Sequence, residues 1–391
     1  MVVDGEVTYL DNAATSWPKP PVVAEAMSNF LAQEAANPGR AGHRMAVAAE
    51  KMLDSVRKIL TDFVGGTDLH RMVLAMNGTD ALNIAFKSIL RPGDHVITSM
   101  VEHNSVSRPL QAMADAGFIE LTRVDFSPQT GVIDPADVAK AITPRTRLIA
   151  LTHASNVLGT IQPIREVGLI ARERGVRFLV DAAQTIGVVP IHVVNDAIDI
   201  LAFPGHKSLL GPTGTGALYV HTTIDIGELA AFREGGTGGD SGSPTQPRLM
   251  PYFLEAGTPN TVGICGLGAS VKYVTDHDPL KTLQHEQQLV QRFIDGATEL
   301  DQLTLYGPTG SDASRCRVGT VSFNLPPYSP QELGAILDDS FGIAIRPGLH
   351  CAPYAHKTLG TYPDGAVRVS PGFFSTSADI DKLLAALRQM G

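Results

Sequence analysis

Two residues that each close an apolar run could together do chemistry. Lys207 ends the turn Pro204-Gly205-His206-Lys207 after the run 199–203, and Asp181 opens Asp181-Ala182-Ala183-Gln184 after the run 176–180. A lysine amine forms a Schiff base with an aldehyde, and a carboxylate keeps a pyridine nitrogen protonated. A lysine and an aspartate at neighbouring strand ends therefore suit pyridoxal 5′-phosphate (PLP), whose protonated ring accepts electrons from a substrate. Each residue alone has a plainer role, as an exposed cation or a helix cap.

Further candidates recur at the ends of apolar runs. Asn77-Gly78-Thr79-Asp80 stands between a predicted strand and a predicted helix, where backbone N–H groups and a hydroxyl suit a phosphate or an ordinary cap. His103, after the run 95–99, could stack on an aromatic cofactor and move protons. The amides of Asn156 and Gln184 could donate to a phenolic oxygen. Cys351 lies in a Gly/Pro loop between Arg346 and Pro353, with His350 beside it. Cationic neighbours and partial exposure would make its thiol a nucleophile, whereas most lone cysteines are buried and inert. Arg368 could hold a carboxylate with two prongs, or close a salt bridge within its own domain.

These residues need a frame that brings strand ends together. Helical periodicity predicts helices at 22–35 and 45–63. From Arg71 onward, strands are predicted at 71–75, 95–99, 119–124, 147–152, 176–180, 199–203 and 215–220. Helices are predicted at 79–89, 104–115, 134–141 and 163–174. Apolar strands alternating with helices imply an α/β fold with a mostly parallel sheet, whose ligands bind beyond the carboxyl ends of the strands. Arg233–Pro251, rich in glycine, reads as a mobile or ligand-shaped loop, not a core element. Long helices at 262–276 and 279–300 precede a smaller α/β unit with strands near 303–306, 317–324, 343–346 and 366–369 and helices at 329–340 and 376–389.

Composition narrows the classes. The 391 residues are 43% hydrophobic and 18% charged, enough for two domains with a substantial core. A net charge of −9 and the lack of a basic tract disfavour nucleic acid. No apolar run approaches the roughly 18 residues of a membrane span, and residues 1–6 lack the pattern of a signal peptide. Cys265, Cys316 and Cys351 are few and far apart, which suggests neither a disulfide framework nor a metal site and suits a reducing cytoplasm.

In Asp181–Gln184 and Gly205–Lys207 the chain resembles the class V (fold type I) PLP-dependent aminotransferase superfamily, and within it the cysteine desulfurases and selenocysteine lyases. The resemblance runs nearly end to end. It implies a large PLP-binding domain over 16–260 around a mostly parallel seven-stranded sheet, and a smaller α/β domain from 1–15 and 261–391. It places Gly78, Thr79 and His206 on the phosphate, His103 over the pyridine ring and in reach of proton transfer, and Asp181 on the ring nitrogen. Gln184 and Asn156 fall on the phenolic oxygen, Asn156 also on the substrate side, and Lys207 becomes the imine-forming base. Glu255-Ala256-Gly257-Thr258-Pro259-Asn260 matches a segment whose Gly-Thr contacts the partner subunit's phosphate, so Gly257 and Thr258 imply a homodimer with composite sites. Cys351 would take sulfur from L-cysteine as a persulfide, leaving alanine, and pass it to a thiol or an acceptor protein. Arg368 and Arg346 would face the substrate, and Asn37, Arg40 and His43 resemble an entrance loop. Two departures stand out: Pro204 replaces a serine, and Leu349 replaces one of two consecutive histidines. Selenocysteine lyase is the nearest alternative, followed by another class V aminotransferase-type lyase or epimerase. A non-catalytic sulfur-transfer partner is the reading from another class.

Overall fold

The computed structural model describes residues 7–39, 43–237 and 242–391. After the two-residue strand β1 (Thr8–Tyr9) come helices α1 (Pro21–Gln33) and α2 (Arg44–Phe63). The alternating region follows as β2 (Met72–Ala75), α3 (Gly78–Ile89), β3 (Asp94–Ser99), α4 (Asn104–Asp115), β4 (Ile119–Val124), α5 (Pro135–Ala141), β5 (Thr146–Thr152), α6 (Ile164–Glu173), β6 (Arg177–Asp181), β7 (Ile200–Pro204) and β8 (Gly216–Val220). The seven strands form one sheet in the order β2-β8-β7-β6-β5-β3-β4, with β8 antiparallel to both neighbours and the other pairings parallel. The central strands read as unbroken apolar runs because both faces are covered. Leu148–Leu151, Phe178–Val180 and Leu201–Phe203 are almost wholly buried. Each large side chain among them contributes about 1.5–3 kcal/mol by burial.

Two helix starts at the carboxyl edge of this sheet are built by residues that the sequence singled out. Asn77 Oδ1 accepts the Asp80 N–H at 2.9 Å to start α3, and His103 Nδ1 accepts the Ser105 N–H at 3.0 Å to start α4. Satisfying these orphan donors fixes where the backbone turns over the strand ends.

The second unit contains α7 (Thr261–Asp276), α8 (Pro279–Ala297), β9 (Thr304–Tyr306), β10 (Val321–Asn324), α9 (Pro330–Phe341), β11 (Ile343–Ala344), β12 (Arg346–Gly348), α10 (Pro353–Thr358), β13 (Ala366–Val369) and α11 (Ser377–Met390). Its antiparallel sheet runs β12-β13-β10-β9, with Phe293 and Phe323 in contact at 5.3 Å between ring centroids in the core beneath. β1 pairs with β11 in parallel, which draws the N-terminus into this unit. We propose the domain division 16–260 against 1–15 plus 261–391. α7 bridges the two, because its Ile264, Leu267 and Val271 pack in the core under the seven-stranded sheet.

Two strand expectations are corrected. The run 343–346 is two strands in two sheets, which sets Arg346 of β12 opposite Arg368 of β13. The run 317–324 is a strand only from Val321, because residues before it bond to the large domain. Arg317, fully buried, donates Nη1 to Leu158 O of the large domain and Nη2 to Pro308 O of its own, and Val318 N donates to Gly159 O of the large domain at 2.9 Å. Gly159, at φ +74°, is required there, since a Cβ would collide with Thr320 O. Among the described residues no helix is long and apolar enough to cross a membrane.

Candidate active site

A cavity of about 540 Å³ opens at the carboxyl ends of the large sheet, where the small domain covers them. β6 and β7 are paired with Asp181 opposite Ala202, so Asp181 and the turn bearing Lys207 come from adjacent strand ends and line the same cavity. Burial pushes the Lys207 ammonium down to about 8; Asp181 opposes the shift, and Arg368 and Arg346 reinforce it. Asp181 is 2% exposed and, among the described residues, accepts only the Ala183 N–H, at 2.9 Å, on Oδ1. Burial pushes its carboxyl up, and the Ala183 N–H and Lys207 pull it back. A protonated ring nitrogen would supply the close cationic donor that this carboxylate lacks.

Glu102, beside His103 in sequence, is a buried neighbour of the site that sequence reasoning did not use. It is fully buried and accepts Ser99 Oγ at 2.5 Å and Thr152 N at 2.9 Å. Burial pushes it up to about 8, with Asp181 adding to the shift. Burial thus favours the protonated form of Glu102. His103 is neutral: burial, with Lys207 and Arg346, pushes it down to about 3. Since its Nδ1 accepts the Ser105 N–H, the ring proton sits on Nε2.

On the phosphate side, Gly78 and Thr79 line the cavity at the start of α3, with Thr79 Oγ1 2.8 Å from Ser105 Oγ. Pro204 lies against Gly78, where a Cβ would come within 3.3 Å of the proline Cδ, and brings no donor. His206 Nδ1 lies 3.0 Å from Thr15 Oγ1, and burial, with Lys207 and Lys19, pushes the imidazole down to about 4. Gln184 uses one amide hydrogen on Ala13 O at 3.1 Å, and Asn156 uses one on His350 O at 2.6 Å, leaving each a second N–H.

Arg368 is 1% exposed and pinned as a fork: Nη2 donates to Asp11 Oδ1 at 2.6 Å and Nη1 to Asn156 O at 3.0 Å, while Nε has no partner. Asp11 is a second residue that the motifs did not reveal, a carboxylate from the N-terminal segment that orients this cation.

Cys351 lines a neighbouring cavity of about 770 Å³, which shares Thr79, His103 and Ser105 with the first. Arg346 Nη2 lies 3.7 Å from its Sγ, as the expected cationic neighbour. His350 is not one, which corrects the expectation. It is 2% exposed and held well below its ordinary value by burial, with Arg368 contributing. Its Nε2–H donates to Arg346 O at 2.9 Å, so Nδ1 is free to accept from His356 Nε2 at 3.3 Å. His350 and Cys351 both take left-handed φ, +49° and +57°, which non-glycine residues rarely adopt. Their carbonyls are fixed by Asn156 Nδ2 and by Asn104 N, each at 2.6 Å. A strained turn is thus held in one conformation with the thiol at its tip.

Gly257 and Thr258 do not reach this site within one chain. They line a separate cavity of about 260 Å³ together with Asn37. His43 caps α2, its Nδ1 accepting Ala46 N at 3.2 Å. Arg40 lies outside the described residues, as do 238–241 of the loop expected over 233–251. Cys265 and Cys316 point their thiols at the carbonyls of Ala26 and Ala313, a structural use.

A family model described as Aminotransferase class-V matches residues 8–383. The chain belongs to this family. Members of the class V family are PLP-dependent enzymes, and the seven-stranded sheet with a smaller C-terminal domain is their fold type I architecture. Among similar relatives, a probable cysteine desulfurase of Methanothermobacter thermautotrophicus is 34% identical, over 98% of this chain and 94% of its own length. A cysteine desulfurase of Salmonella dublin is 34% identical, over 98% and 93%. The apo structure of cysteine desulfurase from Thermococcus onnurineus superposes with a TM-score of 0.91 at 33% identity, covering 98% of this chain and 94% of that one.

Proposed function

We propose that the chain is a PLP-dependent cysteine desulfurase that acts on L-cysteine, forms alanine, and leaves the sulfur on Cys351 as a persulfide. The observation that carries this reading is the Cys351 turn, with its thiol 3.7 Å from the Arg346 guanidinium on the wall between the two cavities. The residues fit PLP. A buried carboxylate with no close cationic donor among the described residues, a lysine shifted towards neutrality, and a helix start with a hydroxyl line the same cavity. Asp181 would hold the ring nitrogen, Gln184 and Asn156 the phenolic oxygen, Gly78, Thr79 and His206 the phosphate, and Lys207 the aldehyde carbon. When bound, PLP supplies an electron sink for the carbanion formed at the substrate's Cα.

The chain's own groups account for the remaining work. Arg368, oriented by Asp11, holds the substrate carboxylate through N–H groups that it does not spend on protein. Lys207, displaced by the substrate amine, takes the Cα proton. His103 carries a proton on Nε2 and is available for transfer. The Cys351 thiolate then attacks the substrate sulfur. The new S–S bond forms as the substrate C–S bond breaks, the electron pair stays with the carbon skeleton, and Cβ takes up a proton to become the methyl of alanine. The sum, two thiols giving one persulfide and alanine, needs no outside oxidant. The persulfide passes to a thiol or an acceptor protein. Gly257 and Thr258 reach the phosphate of a second copy, which makes the enzyme a homodimer with composite sites. We assign it to the cytoplasm, where free cysteines persist. The test is production of alanine and sulfide from L-cysteine with a reductant: equal amounts from the parent and none from Cys351→Ala support the reading, whereas an undiminished Cys351→Ala overturns it.

A further inference from the structure

The peptide that joins His206 to Lys207 is gripped by a segment that no motif singled out. Residues 15–19 follow β1 and lie against the turn after β7. The carbonyl of His206 has four possible donors: Lys19 Nζ at 2.7 Å, Ser16 N at 3.1 Å, Thr15 Oγ1 at 3.1 Å and Ser16 Oγ at 3.2 Å. One oxygen has two lone pairs, so the four cannot all be satisfied. Ser16 Oγ has a shorter acceptor in Lys207 O, at 2.9 Å. Lys19 makes the shortest bond and carries charge, and the backbone N–H of Ser16 has no freedom to turn away. Lys19 and Ser16 N therefore fill the carbonyl, and the proton of Thr15 is left for its other neighbour, His206 Nδ1 at 3.0 Å.

That assignment decides the tautomer. With Nδ1 accepting, the imidazole proton sits on Nε2, which meets no protein acceptor among the described residues, in a ring that lines the cofactor cavity. In the opposite arrangement Nδ1–H donates to Thr15, and a lone pair on Nε2 meets a phosphate, which repels it. The wall can least tolerate this here, because Pro204 offers neither N–H nor hydroxyl. Among the described residues Lys19 has no carboxylate partner; its ammonium donates to Ser16 Oγ and His206 O, both at 2.7 Å. A half-buried lysine with only these acceptors is placed for that carbonyl.

We propose that Thr15 and Lys19 are positioning residues for the cofactor phosphate: Lys19 occupies the carbonyl of His206, the Thr15 hydroxyl is thereby turned to His206 Nδ1, and His206 presents Nε2–H to the phosphate. The proposal rests on the PLP reading above. Its test measures binding of PLP to the apoprotein of Thr15→Val, Thr15→Ser, Lys19→Met, Lys19→Arg and the double variant Thr15→Val/Lys19→Met. Nitrogen-15 NMR of His206 in the parent holoprotein accompanies it. Thr15→Val is expected to weaken PLP binding by about 10- to 150-fold, the worth of a hydrogen bond to a charged group. Thr15→Ser keeps the parent's affinity. Lys19→Met loses affinity and Lys19→Arg regains it. The double variant binds no more weakly than Thr15→Val alone, because Lys19 acts through Thr15. The NMR spectrum shows His206 Nδ1 without a proton. Parent-like binding by Thr15→Val, additive losses in the double variant, or a protonated Nδ1 each overturn the proposal. If Lys19→Met does not fold, the threonine variants and the NMR spectrum still decide. A parent that takes up no PLP removes the cofactor reading as well, whereas variants that bind as the parent does remove this proposal alone.

Discussion

Replacing Arg368 by lysine keeps a cation in place and removes the fork. The guanidinium has five N–H donors, of which one goes to Asp11 Oδ1 and one to Asn156 O, leaving Nε–H and one hydrogen on each Nη. A substrate carboxylate can take two of these side by side. An ammonium has three hydrogens; with Asp11 and Asn156 O satisfied, it offers the carboxylate one. The variant therefore loses one charge-assisted hydrogen bond to substrate, about 1.5–3 kcal/mol, or about 10- to 150-fold in kcat/KM. The carboxylate takes no part in bond breaking, so most of the loss is expected in KM. Alanine formation from L-cysteine across a concentration series measures it, with the cofactor's visible absorbance as a check on the site. Alanine formation by Arg368→Lys with the parent's KM and kcat would refute the assignment of Arg368 to the substrate carboxylate.

Two predictions concern protons. Only the neutral Lys207 amine can capture the PLP aldehyde, and burial pushes its ammonium down to about 8. Refilling of apoprotein with PLP should therefore speed up as pH rises to about 8 and level off above it; a rate still climbing near the ordinary lysine value contradicts the shift. Glu286, 5% exposed in α8 and accepting Gly319 N at 3.0 Å, is pushed up to about 8 by burial alone, against its hydrogen bond. A carboxyl with a folded value above its unfolded one adds stability at low pH, and this is lost as pH rises through about 8. The melting temperature of the parent should fall more steeply between about pH 5 and pH 8.5 than that of Glu286→Gln, and parallel curves would contradict the account.

Most of the frame was legible because it is written in local patterns. Buried parallel strands are continuous apolar runs, so residues 147–152, 176–180 and 199–203 could be placed, and with them the strand ends that carry Asn156, Asp181 and Lys207. Places where long-range bonds overrule local pattern were not legible. Residues 317–320 look like strand, but Arg317 spends its guanidinium on carbonyls of Leu158 and Pro308, and that ties the segment across the domains. The run 343–346 breaks because β1 captures its first half and β13 its second. Charge states were hidden for a related reason. His350 is adjacent to Cys351 in sequence, and only its burial, with Arg368 nearby, shows that it is neutral, against the pull of its bond to Arg346 O. Glu102, Asp11, Thr15 and Lys19 act through residues 50 or more positions away, so no spacing could reveal them.

The central claim is that sulfur leaves the substrate onto Cys351. The most direct test is one turnover of the holoprotein on L-cysteine without reductant, followed by mass spectrometry of the peptide that contains residue 351. The account predicts one added sulfur atom on Cys351 for each alanine formed, with Cys265 and Cys316 unchanged. Alanine formed in the same amount with Cys351 unmodified, or with the sulfur on another cysteine, would contradict it.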